Sequence, residues 1–225
     1  MKNSILTSAL FALLTVPAHA QLFWINEFHY DNTGGDVGEF VEIAAPSTFT
    51  DLTAITLTLY NGSGGASYAT HKLSTFTAGA SSGDYTLYSK SFSSVLQNGA
   101  PDGFALDQSG TVLQFLSYEG SFAATSGAAN GQTSTDIGAA ESDPGTASGA
   151  SLGLTGWGYS YSDFTWTTFS DDSPGALNSG QTFSAVPEPH EYALGAALAL
   201  RGFAGWRGRF GWRSAPGETA NRTTS

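Results

Sequence analysis

The 225-residue chain contains no cysteine, which removes disulfide staples, cysteine-zinc sites and thiol nucleophiles together. Arginine is missing from Gln21 to Ala185, where Lys72 and Lys90 stand against 11 aspartates and 5 glutamates, a net charge of −14. A segment of that charge repels phosphate backbones and has no basic stripe to meet them, so nucleic acid is excluded as its partner. The same segment lacks an amphipathic helix of convincing length, and it lacks the strict repeat that would argue for a propeller or solenoid. No GxSxG elbow, HExxH pair or phosphate-cradling loop is present, so the chain is expected not to be an enzyme.

What is present is short-range alternation. In ITLTLYN, Ile55, Leu57 and Leu59 fall on one face while Thr56, Thr58 and Tyr60 fall on the other, the period of a half-buried antiparallel strand. LFWINEF, GEFVEIA, YATHKL, DYTLYS, GFALD, TVLQFLSY, ASLGLTG, FTWTTF and QTFSA read the same way. Asn61-Gly62, Asn98-Gly99, Asp102-Gly103 and Asn130-Gly131 are expected as turns between them. About ten short strands at turn-marked spacing predict an all-β fold, a sandwich, with the polar stretch 123–150 as loop excursions around one short strand. The 165 residues from Gln21 to Ala185 suffice to bury about two-thirds of the unfolded surface without staples.

The two ends carry a different kind of information. Lys2, an apolar core from Ile5 to Val16 and Ala18-His19-Ala20 before Gln21 form a secretory signal peptide over residues 1–20, with signal peptidase cutting between Ala20 and Gln21. At the other end, Val186-Pro187-Glu188-Pro189 is followed by an apolar segment from Tyr192 and by Arg207 and Arg209. Two prolines hold an extended backbone that a protease can grip, and arginines favour the cytoplasmic side of a membrane.

Three groups of residues are candidates for chemistry. His29 adjoins Tyr30-Asp31 and precedes Asp36, Glu39 and Glu42, whereas His71 is expected to face solvent from its strand. Asp31, Asp36 and Glu39 in DNTGGDVGE offer hard oxygens for Ca²⁺, although the spacing is not that of an EF-hand. The alternative places Asp31 and Asn32 in an Asx-turn, with Glu39 and Glu42 on a half-exposed strand. Finally, Trp157, Tyr159 and Tyr161 sit among Gly and Ser and would line a loop able to stack on sugars, while Phe164 and Trp166 share a strand face and read as core.

INEFHYDNTGGDVGEFVEIAAP, LTLYNG, DGFALDQSGTVLQFLSYEG, SLGLTG, FTWTTF and SPGALNSGQTF together resemble the lamin-tail-like domain of exported bacterial proteins, over most of 21–184. That resemblance implies an immunoglobulin-like antiparallel β-sandwich that works as an accessory domain, in some proteins beside extracellular nucleases or phosphatases. The Pro-Glu-Pro, apolar and arginine order over 186–213 resembles a PEP-CTERM sorting tail, which implies Gram-negative export, recognition by an exosortase-like membrane protease and transient membrane anchoring. Arg201 departs from that pattern, leaving nine uncharged residues from Tyr192 to Leu200 where a spanning helix needs about 20. The chain also continues past Arg213, with 214–225 expected as a disordered tail. The expectation is a non-catalytic protein of the cell envelope or extracellular matrix, structural or adhesive and linked to exopolysaccharide. The alternatives are a carbohydrate- or calcium-dependent binding module and a secreted hydrolase.

Overall fold

A computed structural model describes residues 22–185. The signal peptide with its Ala20/Gln21 cut, the sorting motif at Val186 to Pro189, and Arg207 and Arg209 lie outside the described residues. Twelve strands account for most of the regular structure: β1 (Trp24–His29), β2 (Phe40–Pro46), β3 (Ile55–Asn61), β4 (Ala66–Lys72), β5 (Thr77–Ser82), β6 (Tyr85–Ser91), β7 (Asp102–Gln108), β8 (Thr111–Tyr118), β9 (Thr135–Asp136), β10 (Ser151–Gly158), β11 (Phe164–Phe169) and β12 (Gln181–Phe183). All ten alternating runs became strands. The additions are β9, the short strand expected within 123–150, and β5, whose TAGASS carries no apolar signal and is mostly exposed.

The first sheet runs β11-β10-β1-β2-β6-β5, with β12 parallel beside the end of β10, and the second runs β4-β3-β7-β8-β9. Pairing is antiparallel throughout except at β10 with β12 and β8 with β9. Between the sheets, Ile25, Phe28, Val41 and Ile43 meet Ile55, Leu57, Leu59, Phe104, Leu106 and Leu116, the apolar faces that the alternation marked. An aromatic string thickens this core, with Phe28 edge-on to Phe104 and Tyr30 stacked on Tyr118 at 3.9 Å.

Each sheet is also covered on its outer face. On the second sheet Tyr60, Ala105 and Phe115 pack against Phe122, Ala124 and Ala129 of the excursion, and the Tyr60 hydroxyl accepts the Ala129 N–H at 2.9 Å. On the first, Trp24 contacts the rings of Tyr85, Phe164 and Phe183. A register shift between Ile25 and Glu27 marks a bulge at Asn26. One inserted residue reverses the alternation of β1, so that Ile25 and Phe28, three positions apart, both face the main core.

The structure corrects three expectations. Glu39 and Glu42 are buried rather than half-exposed, at 1 % and 0 % of their accessible surface. His71 is half-buried against the Phe92 ring, its Nε2 enclosed without a partner, instead of facing solvent. Asp102-Gly103 opens β7 rather than forming a turn: a side chain at Gly103 would strike the Leu116 carbonyl of the neighbouring strand.

Candidate functional site: carboxylates at the end of the first strand

The chain leaves β1 as Tyr30-Asp31-Asn32 and returns into β2 at Phe40, and between them the Asn32 side chain organises the loop. Its Nδ2 donates to the carbonyls of Thr33 and Gly35 at 3.2 and 3.1 Å, and its Oδ1 accepts the Val37 N–H at 3.0 Å. The Asx-turn expected of Asp31 and Asn32 would accept the N–H two residues on; instead Asn32 Oδ1 accepts an N–H five residues on while its Nδ2 bridges to two loop carbonyls, a wider closure made by Asn32. Gly34 and Gly38 take the left-handed conformation that such a tight loop demands.

Because those bonds fix the Asn32 amide, its Oδ1 is also what faces His29 Nε2, at 3.2 Å. On the other side of the ring, His29 Nδ1 lies 2.7 Å from Glu141 Oε1. Both ring nitrogens therefore face acceptors, an arrangement that only the doubly protonated imidazolium satisfies. Burial alone would lower the His29 pKa, but the hydrogen bond and charge of Glu141, with help from Asn32, raise it above the ordinary value. Glu141 uses its second oxygen to accept the N–H groups of Tyr30 and Asp31 at 2.7 and 3.0 Å, and its own N–H donates to the Tyr30 hydroxyl at 2.8 Å. The excursion is thus clamped to the end of β1. An imidazole so held has no free lone pair with which to take a proton from a nucleophile.

The three residues that the sequence offered as oxygen donors are not treated alike. Glu39 turns to the 92–101 loop, where Oε2 accepts the N–H groups of Val95 and Leu96 at 2.7 and 3.1 Å. Asp31 and Asp36 come together, within hydrogen-bonding reach of each other, and the Asn98 side chain approaches both. Burial raises the Asp31 pKa, Asn98 opposes that, and the carboxylates of Asp36 and Asp143 raise it further. Burial likewise raises Glu119, whose carboxylate accepts from the Tyr30 hydroxyl at 3.2 Å.

A second group of acids lies beneath the 173–181 segment. Glu27 accepts from the Ser151 hydroxyl at 2.6 Å and from the Ser173 N–H and hydroxyl, each at 3.0 Å. Glu42 accepts from Asn26 Nδ2 at 2.9 Å and from the Gly175 N–H at 2.5 Å. Asn26, Asn178 and Gln181 join them in a continuous buried polar layer. The conspicuous PGALNSGQ close of the sequence is therefore the lid over the NEF and VEI glutamates.

Sequence reasoning missed Glu141 and Asn98, both supplied by distant loops; the one hint was that Glu141 is the sole glutamate in the polar stretch 123–150. Among the aromatics, Phe164 is buried and Trp166 packs on Phe28, whereas Trp157 is 71 % exposed on β10. Tyr159 and Tyr161 are half-buried, and Tyr161 accepts the Trp166 indole N–H at 3.0 Å. Two open clefts of about 500 and 510 Å³ flank the 94–102 loop and the 140–147 segment, the first lined by Val95, Leu96 and Pro101 beside Asn98 and Asp102, the second by Ala147, Ala150 and Phe169 beside Glu141 and Ser142. Among the described residues no helix is long and apolar enough to cross a membrane. No family model matches the chain, and neither a curated protein nor a solved structure matches it.

Proposed function

We propose that this chain is an exported, non-catalytic β-sandwich of lamin-tail-like, immunoglobulin-like type, with a structural or adhesive role at the cell surface or in an exopolysaccharide-containing matrix. On this reading residues 1–20 direct secretion and 186–213 act as a PEP-CTERM-like tail handled by an exosortase-like protease. The observation that carries the non-catalytic part is the engagement of its polar groups. His29 is held between two acceptors, and Glu27, Glu39, Glu42 and Glu141 all accept backbone N–H groups. Those side chains fasten loops to sheets, which suits a protein selected for persistence outside the cell without disulfides.

Intact mass of the protein recovered separately from envelope and medium of its native host tests the reading. A species from Gln21 to the neighbourhood of Pro187 to Pro189 supports secretion, processing and release into a matrix. A species that still ends at Ser225 in both fractions overturns the sorting part.

Trp157 favours a second reading, a carbohydrate-binding module, since an indole 71 % exposed on a strand is a stacking platform for a sugar ring. Glycan-array binding that is lost in Trp157→Ala would support it, and an unchanged or blank array would remove it.

A further inference from the structure

The Asp31–Asp36 contact is chemically incomplete. Two carboxylates in reach of each other repel unless a proton or a cation lies between them. Asp31 is only 7 % exposed and its Oδ1 is enclosed without any hydrogen-bond partner. Asp143 and Glu119 add negative charge around it. Both described lysines are engaged elsewhere: Lys72 donates to the Thr53 carbonyl and Lys90 lies over the Phe92 ring. With only the Asn98 amide to oppose burial and repulsion, a carboxylate so enclosed is poised to take up a proton or a cation from solution.

From this geometry we infer that Asp31, Asp36 and Asn98 form a site for a hard divalent cation of the Ca²⁺ class. The inference is independent of the sorting and matrix reading. Among the described residues no three His, Asp or Glu side chains come together as a ready metal cage. The ion is therefore held by two carboxylates, by the Asn98 amide oxygen and by backbone or water oxygens that complete its six to eight ligands. Asn98 Nδ2 is a weak donor to Asp36 at 3.4 Å, and a half-turn of the amide presents its oxygen instead. Glu39 is not counted among the ligands: the groups that act on Asp31 are Asn98, Asp36 and Asp143, whereas Glu39 Oε2 holds the amides of Val95 and Leu96. That role fixes the 92–101 loop from which Asn98 projects. Few charged ligands and an open loop place the affinity at about 10⁻⁴ to 10⁻³ M, the range of extracellular modules.

The test is calorimetric titration of CaCl₂ into the full chain, stripped with chelator, at constant ionic strength, with thermal melts in parallel. Saturable binding in that range is expected, with Asp31→Asn and Asp36→Asn each weakening it about tenfold or more and Asp171→Asn leaving it unchanged. Absence of saturable heat overturns the site. So does binding that is equal in the Asp31, Asp36 and parent proteins, which would place the ion elsewhere on the acidic surface. Should either variant fail to fold by circular dichroism, Mn²⁺-induced broadening of amide signals in the parent protein decides. Early loss of the signals of Asp31, Asp36 and Asn98 supports the site, and early loss elsewhere overturns it.

Discussion

The carboxylates under the 173–181 lid and those at the end of β1 are the same residue types in the same acidic chain, and they are stabilised in opposite ways. Glu27 and Glu42 are fully buried, yet every oxygen has a hydrogen-bond donor from a serine, an asparagine or a backbone N–H. Asp31 and Asp36 have mainly each other and one weak amide contact. A segment with only two lysines cannot neutralise 16 acids by ion pairs. It satisfies some of them with backbone amides, which carry no charge but are abundant at loop ends. Where a loop presents its amides to a carboxylate the acid becomes a fastener, and where it does not the acid is left for solvent or an ion.

Removing a fastener should therefore cost far more than removing an unpaired acid. Glu27→Ala leaves the Ser151 hydroxyl and the Ser173 N–H without their acceptor, while the Ser173 hydroxyl keeps Asn178 Oδ1, and a loss of about 2 to 3 kcal/mol in urea unfolding is expected. A loss near zero would show that the lid is held by its apolar contacts alone. Glu39→Gln should cost less, about 1 to 2 kcal/mol, because a carboxamide oxygen can still accept from Val95 and Leu96 while its NH₂ occupies the place of the unpartnered Oε1.

The pH dependence separates the two regions next. Burial raises Glu42 to about 8 from 4.5, against the opposing bonds from Asn26 and Gly175, and burial also raises Glu27 against its serine donors. A glutamate whose folded pKa lies above its unfolded one contributes stability that is complete below the unfolded value and is lost as pH rises through the folded value. The melting temperature should thus fall between pH 5 and pH 8. A rise over that interval would mean that the donors outweigh burial and hold both glutamates ionised. Smallest of all, Asp36→Asn in chelator should change stability by no more than about 0.5 kcal/mol, and in the stabilising direction, since it relieves repulsion at an exposed loop. A substantial destabilisation there would erase the contrast between the two regions.

How much of this was legible differs between fold and site. The strands could be read because a side chain facing the core is apolar at every second position, and ITLTLYN displays that rule without help from the rest of the chain. β5 could not, since TAGASS lies at a sheet edge where pairing with β6 rather than apolar burial holds it. That Asn32 would organise its loop was foreseeable because the residue type favours side-chain bonds to nearby backbone, but the N–H it accepts lies five residues on rather than two. The burial of Glu39 and Glu42 was not, because an alternating strand with acids in it looks half-exposed until something covers its outer face.

By itself the sequence determined ten of the twelve strands, that no disulfide or arginine could brace them, and that the surplus of acid needed partners other than bases. The tertiary structure alone decided which acids found those partners. His29 meets Glu141 across 112 residues, and Glu27 meets Ser173 across 146. Periodicity encodes which face of one element is apolar, but it holds no record of which distant loop will lie on the other face. That choice follows from how two covered sheets route their connections, and it leaves Asp31 and Asp36 as a pair whose positive partner must come from solution.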